Sequence, residues 1–287
     1  MKKYNEIDDN EIRIISSNIN NNEPSPENRK RRSKRWGLLL FIGIAVIGGL
    51  LYLYNTSVEQ SEQAFTVEKS NGITARGSQG TKKKGFVAMT DTTINGNPLT
   101  LLTPHYATAR LQIGVGTLHD KEAVLVVQAA DVRKDNGEIV GTYVSEGNLI
   151  SKGQAKSGFC AILNGTPIIG VSDATPYLEQ AIEMDGYFFR QYPLVAGGHV
   201  VENKPKGKSF RRALAERNGS VFVVISQCSL TFHDFAQALA DMGVVNAIYL
   251  VGSLTRGFAI DSGGNRIEFG NMPESEAPSK ANYIVWK

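Results

Sequence analysis

From about Lys82 onward, short apolar and β-branched runs recur at close spacing. They are Phe86–Met89, Ala109–Val115, Ala123–Ala130, Phe159–Leu163, Pro167–Val171, Val221–Ser226, Ala247–Val251, Phe258–Ile260 and Asn282–Trp286. Runs of this length predict strands. Turn signals separate them: Asn95-Gly96, Asn136-Gly137, Asn164-Gly165, Asn218-Gly219 and Gly263-Gly264-Asn265,. The chain carries no internal repeat.

Two segments carry a helical pattern instead. Thr175-Pro176 opens the first, with Thr as the cap and Pro at the first helical position, and it runs to about Met184,. Thr231 opens the second, with Asp234 placed as in a capping box,. Phe235, Leu239 and Met242 share one face, and Gly243 is a natural stop,. This helix lies between the runs at 221 and 247. Strand, helix, strand at that spacing predicts a right-handed parallel crossover. Both strands then end on one sheet edge, bringing Ser226-Gln227 close to Gly252-Ser253, where open sheets tend to bind ligands,. The expected fold class is α+β: a mixed, strand-rich sheet with few helices and one β-α-β crossover near the C-terminus.

Ahead of this region the pattern is different. Trp36 to Tyr54 is a run of 19 residues with no charge, close to the ~20 needed to span a bilayer as a helix. Arg29–Arg35 (RKRRSKR) places six positive charges in seven residues immediately before it. After the run, Glu59 and Glu62 precede the first basic residue, Lys69. The positive-inside rule puts the N-terminus in the cytoplasm. The run exceeds the usual apolar core of a cleaved signal peptide, and no small-x-small site follows closely, which favours an uncleaved transmembrane anchor. The expected organisation is a cytoplasmic tail at 1–35 with the composition of a disordered segment, a transmembrane anchor at 36–54, a polar linker at 55–80 and an extracytoplasmic domain at 81–287.

Composition narrows the chemistry. At 41% hydrophobic and 21% charged residues, the chain is neither wholly disordered nor collagen-like. The net charge of +3 comes from residues 1–54, and the remainder balances at 22 basic and 22 acidic residues. The domain is thus not a basic nucleic-acid binder. Two cysteines and four histidines exclude a disulfide scaffold or a zinc ribbon. Cys160 and Cys228 read as small apolar residues, with a disulfide permitted outside the cytoplasm but not required. No metal or cofactor is expected.

Several segments carry polar chemistry. In Val251–Gly257 (VGSLTRG), two glycines allow close backbone approach, and Ser253, Thr255 and Arg256 offer donors to an anionic oxygen, although such a loop can equally be a polar turn,. Lys206–Leu214 (KGKSFRRAL) holds Arg211 and Arg212, whose forks suit phosphate or carboxylate, or an internal Asp,. Asp185–Pro205 is dense in aromatics, which stack on sugars or form a core, and core packing is expected of Phe188 or Phe189,. Hydrolysis of a glycosidic bond generally needs two carboxyl groups. Asp131, Asp173, Asp185 and Asp261 are candidates, and no spacing selects a pair.

Read in order, the C-terminal half resembles the phosphodiester glycosidase family. Val140–Val144 with Gly147 is similar to its V-G-L-Y-V…G turn, and Asn164-Gly165 to its P-N-G step. Gln191–Val195 with Gly198 resembles Q-S-G-P-x-L-V…G, and Arg211-Arg212-Ala213 resembles R-x-A. Ser226 matches the Ser after the next strand, Phe232–Leu239 resembles the F-x-D-F-A helix, and Asn246–Leu250 with Gly252-Ser253 resembles N-A-L-Y-L-D-G-S. The resemblance implies a domain acting on a sugar-phosphate bond. Arg211 and Arg212 would hold the phosphate, Gln191 and Arg256 would add substrate contacts, and the Gly252-Ser253 backbone would line the cleft. Ser226 and Asp131 are the catalytic candidates. Two positions depart: Val251 stands where the family has Asp, and Gln128-Ala129-Ala130 stands where it has N-A-G or N-G-G. The first departure removes an acid, base or metal ligand. The expected function is a membrane-anchored, extracytoplasmic phosphodiester glycosidase-like domain acting on a sugar phosphate or envelope glycan. The alternatives are a catalytically inactive glycan-binding or scaffolding domain on the same fold, and a partner-binding module located by its anchor. The expected partners are a carbohydrate or sugar-phosphate ligand and the membrane, through residues 36–54, with no nucleic acid.

Overall fold

The computed structural model describes residues 83–153 and 156–287. The expected tail, membrane anchor and linker (1–35, 36–54 and 55–80) lie outside the described residues. Among the described residues no helix is long and apolar enough to cross a membrane.

The strands, numbered in chain order, form three sheets. The first contains β1 (Phe86–Ile94), β2 (Asn97–His105), β10 (Pro193–Ala196), β11 (His199–Val200), β12 (Ser209–Arg217), β13 (Ser220–Leu230) and β14 (Asn246–Leu250). Their order is β1-β2-β13-β12-β14-β10-β11. The second contains β3 (Ala109–Ile113), β4 (Leu125–Gln128), β15 (Gly257–Ile260), β16 (Arg266–Phe269) and β17 (Asn282–Trp286), in the order β16-β15-β4-β17-β3. The third contains β5 (Tyr143–Ser145), β6 (Asn148–Ser151), β7 (Gly158–Leu163), β8 (Thr166–Val171) and β9 (Tyr187–Gln191), in the order β6-β5-β9-β7-β8.

The strand-rich α+β class is as expected, but the sheets are not mixed. Every strand pairing among the described residues is antiparallel. The strands flanking the second helix do run parallel to one another. However, β12 lies between them, antiparallel to both, with Arg212 opposite Ile225 on β13 and Leu250 on β14. The physical reason is local. Asn218 and Gly219 both take positive φ and close a tight hairpin from β12 to β13, so β12 inserts before the crossover can pair its own strands. The ends of β13 and β14 still share one edge. Asn95-Gly96 and Asn164-Gly165 also have positive φ and close the β1–β2 and β7–β8 hairpins.

The inner faces of the three sheets meet in one core. Leu214, Val223 and Ile248 from the first sheet pack with Leu125 and Ile284 from the second and Tyr143, Cys160, Ile162 and Phe189 from the third. Because side chains alternate along a strand, the neighbours of these residues point outward. Ala213, Ala215, Phe222, Val224 and Tyr249 lie under helix α2 (Phe232–Asp241), which buries Phe235, Ala236 and Leu239 against them. Phe159, Ala161 and Phe188 pack with Ala181 of helix α1 (Tyr177–Glu183). Burial on both faces explains why these strands read as unbroken apolar runs. α2 ends as its sequence demands: the Thr231 hydroxyl accepts from the Asp234 N–H at 3.0 Å, and Gly243 turns the chain at φ +84°. Cys160 and Cys228 are free thiols.

Candidate functional site

A cavity of about 670 Å³ opens where β12 and β13 meet β1, β16 and the loop after β14. Its lining includes Arg212, Ser226, Gln227, Thr100, Asp91, Ser253 and Phe269. Arg212 is buried in it, at 3% exposure. Its Nη1 donates to the Thr255 hydroxyl at 2.8 Å and to the Val251 carbonyl at 3.3 Å, and the guanidinium lies 4.8 Å from the centre of the Phe269 ring. Its Nε has no hydrogen-bond partner among the described residues. No carboxylate among them pairs with it. Burial lowers its pKa to about 10, so it remains cationic at neutral pH. A buried, uncompensated cation with a free donor is unfavourable unless an anion completes it.

The loop walls are held close by backbone geometry. The register between β12 and β13 slips after Phe210, leaving Ser226, Gln227 and Cys228 opposite Arg211 alone. Such a bulge re-aims side chains. The Ser226 hydroxyl fills the gap by accepting from the Arg211 N–H at 2.7 Å. The Ser253 N–H donates to the Phe210 carbonyl at 2.8 Å. This approach is open only to glycine at 252, where an added Cβ would lie 2.4 Å from the Phe210 oxygen,.

A second polar cluster forms where three strand ends converge. The Val251 N–H donates to the Gln128 carbonyl at 3.2 Å, and Gln191 Nε2 to the Ala129 carbonyl at 3.3 Å. Here Lys156, buried against the Tyr192 ring, pairs with Asp131 and donates to Gln191 Oε1 at 2.6 Å. Burial lowers the Lys156 pKa, and the Asp131 charge opposes that shift.

The anticipated residues therefore divide. Arg212, Ser226 and Ser253 line one cavity, with Gly252 forming its tight backbone turn. Arg211 does not join them. Adjacent strand residues face opposite ways, and its guanidinium donates to the Leu230 and Gly207 carbonyls and stacks on Phe232 under α2. Arg256 is no free anion donor either, because Glu274 and Glu268 hold its two ends at 2.9 and 3.0 Å. Asp131 and Gln191 are committed to Lys156 and are not among the residues lining the Arg212 cavity. Asp261 caps a turn through Asn265, whose hydrogen bonds lower its pKa, and Phe188 and Phe189 are core. Sequence reasoning missed Lys156, one of two lysines in a polar loop. It also missed Asp91 and Thr100, which lie outside the apolar runs that predict strands.

A family model described as phosphodiester glycosidase matches residues 121–285. No curated protein matches the chain. Among solved structures, the chain is similar to the catalytic domain of zebrafish N-acetylglucosamine-1-phosphodiester alpha-N-acetylglucosaminidase, auto-inhibited by its pro-peptide. That match has 12% identity and a TM-score of 0.48, covering 73% of this chain and 84% of that one. The chain is also similar to a hypothetical protein from Synechocystis, with 15% identity and a TM-score of 0.49, covering 71% of this chain and 62% of that one. With the family model matching more than half of its 287 residues, the chain belongs to the phosphodiester glycosidase family.

Proposed function

We propose that the domain recognises a sugar phosphodiester or similar anionic glycan with its phosphate on Arg212, and that the anchor at 36–54 holds it outside the cytoplasm. The observation carrying the reading is the Arg212 guanidinium, buried, facing a cavity and lacking a carboxylate partner. Phosphate suits this fork, since bidentate charge-assisted bonds require paired donors. Ser226, Gln227 and Thr100 provide neutral hydrogen-bonding groups around it. The anchoring half rests on the uncharged run and its basic flank,.

A second reading, recognition without hydrolysis, is favoured by one observation. Where the family has Asp, Val251 contributes only backbone: its N–H goes to Gln128 and its carbonyl accepts from Arg212 and Thr255. Glycosidic hydrolysis ordinarily divides acid and base roles between carboxyl groups. Incubation of the full chain with a sugar-1-phosphodiester tests both readings, with binding and product release measured separately. Arg212→Met should lose binding at least about tenfold, the scale of a lost charge-assisted hydrogen bond. Unchanged binding in a folded Arg212→Met protein would remove the phosphate assignment.

A further inference from the structure

The cavity around Arg212 has an apolar rim that a phosphate and a sugar leave unexplained. Met89, Phe210, Leu254 and Ile267 are between 37% and 53% exposed, and all four line this cavity. They come from β1, β12, the loop after β14 and β16, four elements distant in sequence. Scattered single apolar residues on a surface need no explanation, but a convergent cluster does. The other end of the cavity is polar. Through Asp91 and Gln227 it continues into a second depression of about 460 Å³, which adds Thr92, Thr93, Pro98 and Leu99 and none of the four rim residues. One buried cation thus shares its cavity with an apolar rim and with a shelf whose hydrogen-bonding groups are Asp91, Thr92, Thr93 and Gln227.

We infer that the ligand is a phosphate ester carrying a hydrocarbon chain, with the phosphate on Arg212, the hydrocarbon over Met89, Phe210, Leu254 and Ile267, and any sugar along the Asp91–Gln227 shelf. The inference rests on the Arg212 phosphate reading and adds the class of the substituent. Charge complementarity argues for it: Arg212 is the one cation in this lining, and the two carboxylates there, Asp91 and Glu268, are held by Thr100 and by Arg256 and Arg266. A sugar phosphate alone would leave the rim wet on binding. A hydrocarbon without phosphate would leave Arg212 uncompensated. The anchoring proposal points the same way: only 26 residues (55–80) separate the apolar run from the domain, so an anchored domain would work at a membrane surface, where hydrocarbon-bearing phosphates reside.

The test uses the full chain in lipid nanodiscs, with empty discs as the blank. Equilibrium dialysis compares methyl phosphate, geranyl phosphate and geraniol. Geranyl phosphate should bind more than about tenfold tighter than methyl phosphate, since burying roughly two methylene groups gives that factor. Geraniol should bind more weakly than geranyl phosphate. Leu254→Ser and Phe210→Ser should each lower the geranyl-to-methyl ratio, and Arg212→Met, with Arg212→Lys as the milder variant, should weaken both phosphates. Equal affinity of the two phosphates overturns the hydrocarbon assignment while leaving the Arg212 site standing. The rim is then covered by protein, such as a second copy or residues 55–82 of this chain. A ratio unchanged in both Ser variants also overturns it. Loss of all dependence on position 212, in variants whose melting curves show a folded protein, removes the phosphate reading and the inference together.

Discussion

The proposed recognition-only reading turns on position 251. Its backbone ties the end of β14 to the end of β4, so a new side chain there inherits a fixed anchor. Val251→Asp should therefore raise hydrolysis of a sugar-1-phosphodiester above the wild-type rate with little change in binding. Strong turnover by the wild type would show that no carboxylate is needed at 251, and the recognition-only reading would be abandoned. The Asp131–Lys156 pair makes a different demand. Lys156 is almost fully buried, whereas the Asp131 side chain is one-third exposed. Removing the ammonium leaves a carboxylate that water can reach, so Lys156→Met should change stability by less than about 1 kcal/mol. Removing the carboxylate leaves a buried ammonium supported mainly by Gln191, so Asp131→Asn should lose about 2–3 kcal/mol, below the ~3–5 of a fully enclosed pair. The pH dependence gives a second check. Burial already holds Lys156 below its ordinary 10.5, and without Asp131 it falls further. Between the folded and unfolded values the unfolded chain binds more protons, so stability rises with pH there. Urea melts at neutral and alkaline pH should show the Asp131→Asn deficit shrinking as pH rises, and a constant deficit would disprove the account.

Helix α2 and strand β12 show how far sequence pattern reaches. α2 was legible to its caps because Thr231, Asp234 and Gly243 act through neighbours three or four residues away. Thr231→Ala should reduce stability by about 1 kcal/mol and speed amide exchange in the first turn. An unshifted urea midpoint would mean the cap is not stabilising. The loosened turn carries Phe232, on which Arg211 and Tyr249 stack. The apolar strands were also legible, since β7, β14 and β17 follow their runs within a residue. β12 was not. Its sequence, SFRRALAER, places Arg211, Arg212 and Arg217 among helix-favouring residues with no alternation. The first two are nonetheless buried, Arg211 beneath α2 and Arg212 in the cavity. Missing β12 hid the strand that separates β13 from β14. The candidate site divides likewise. Arg212, Ser226 and Gly252-Ser253 were found through motif order. Lys156 was invisible because its partners lie 25 residues before it and 35 after, and only tertiary structure unites them.

Across the whole molecule, charge is unevenly distributed. All of the net charge precedes residue 55, and the remaining chain is neutral. Field-driven capture of anions by the domain surface is therefore weak, and one buried guanidinium would select its ligand by local geometry. The proposed orientation predicts that protease added outside intact spheroplasts digests the domain and spares residues 1–35. Attack on the tail with the domain protected would reverse the assignment. The second sheet has a consequence of its own in time. β17, residues 282–286, is a middle strand that binds β4 on one side and β3 on the other. Until it arrives, β3 and β4 have no common partner, and their inner residues have no wall to close against. Closure of this sheet thus waits for β17, which lies about 150 residues beyond β4 in the chain, while the β12–β13 hairpin pairs neighbouring segments and can form earlier. During that interval the unpaired edges of β3 and β4 are open to neighbouring chains, so the delay before β17 docks sets how long the folding protein is vulnerable to aggregation.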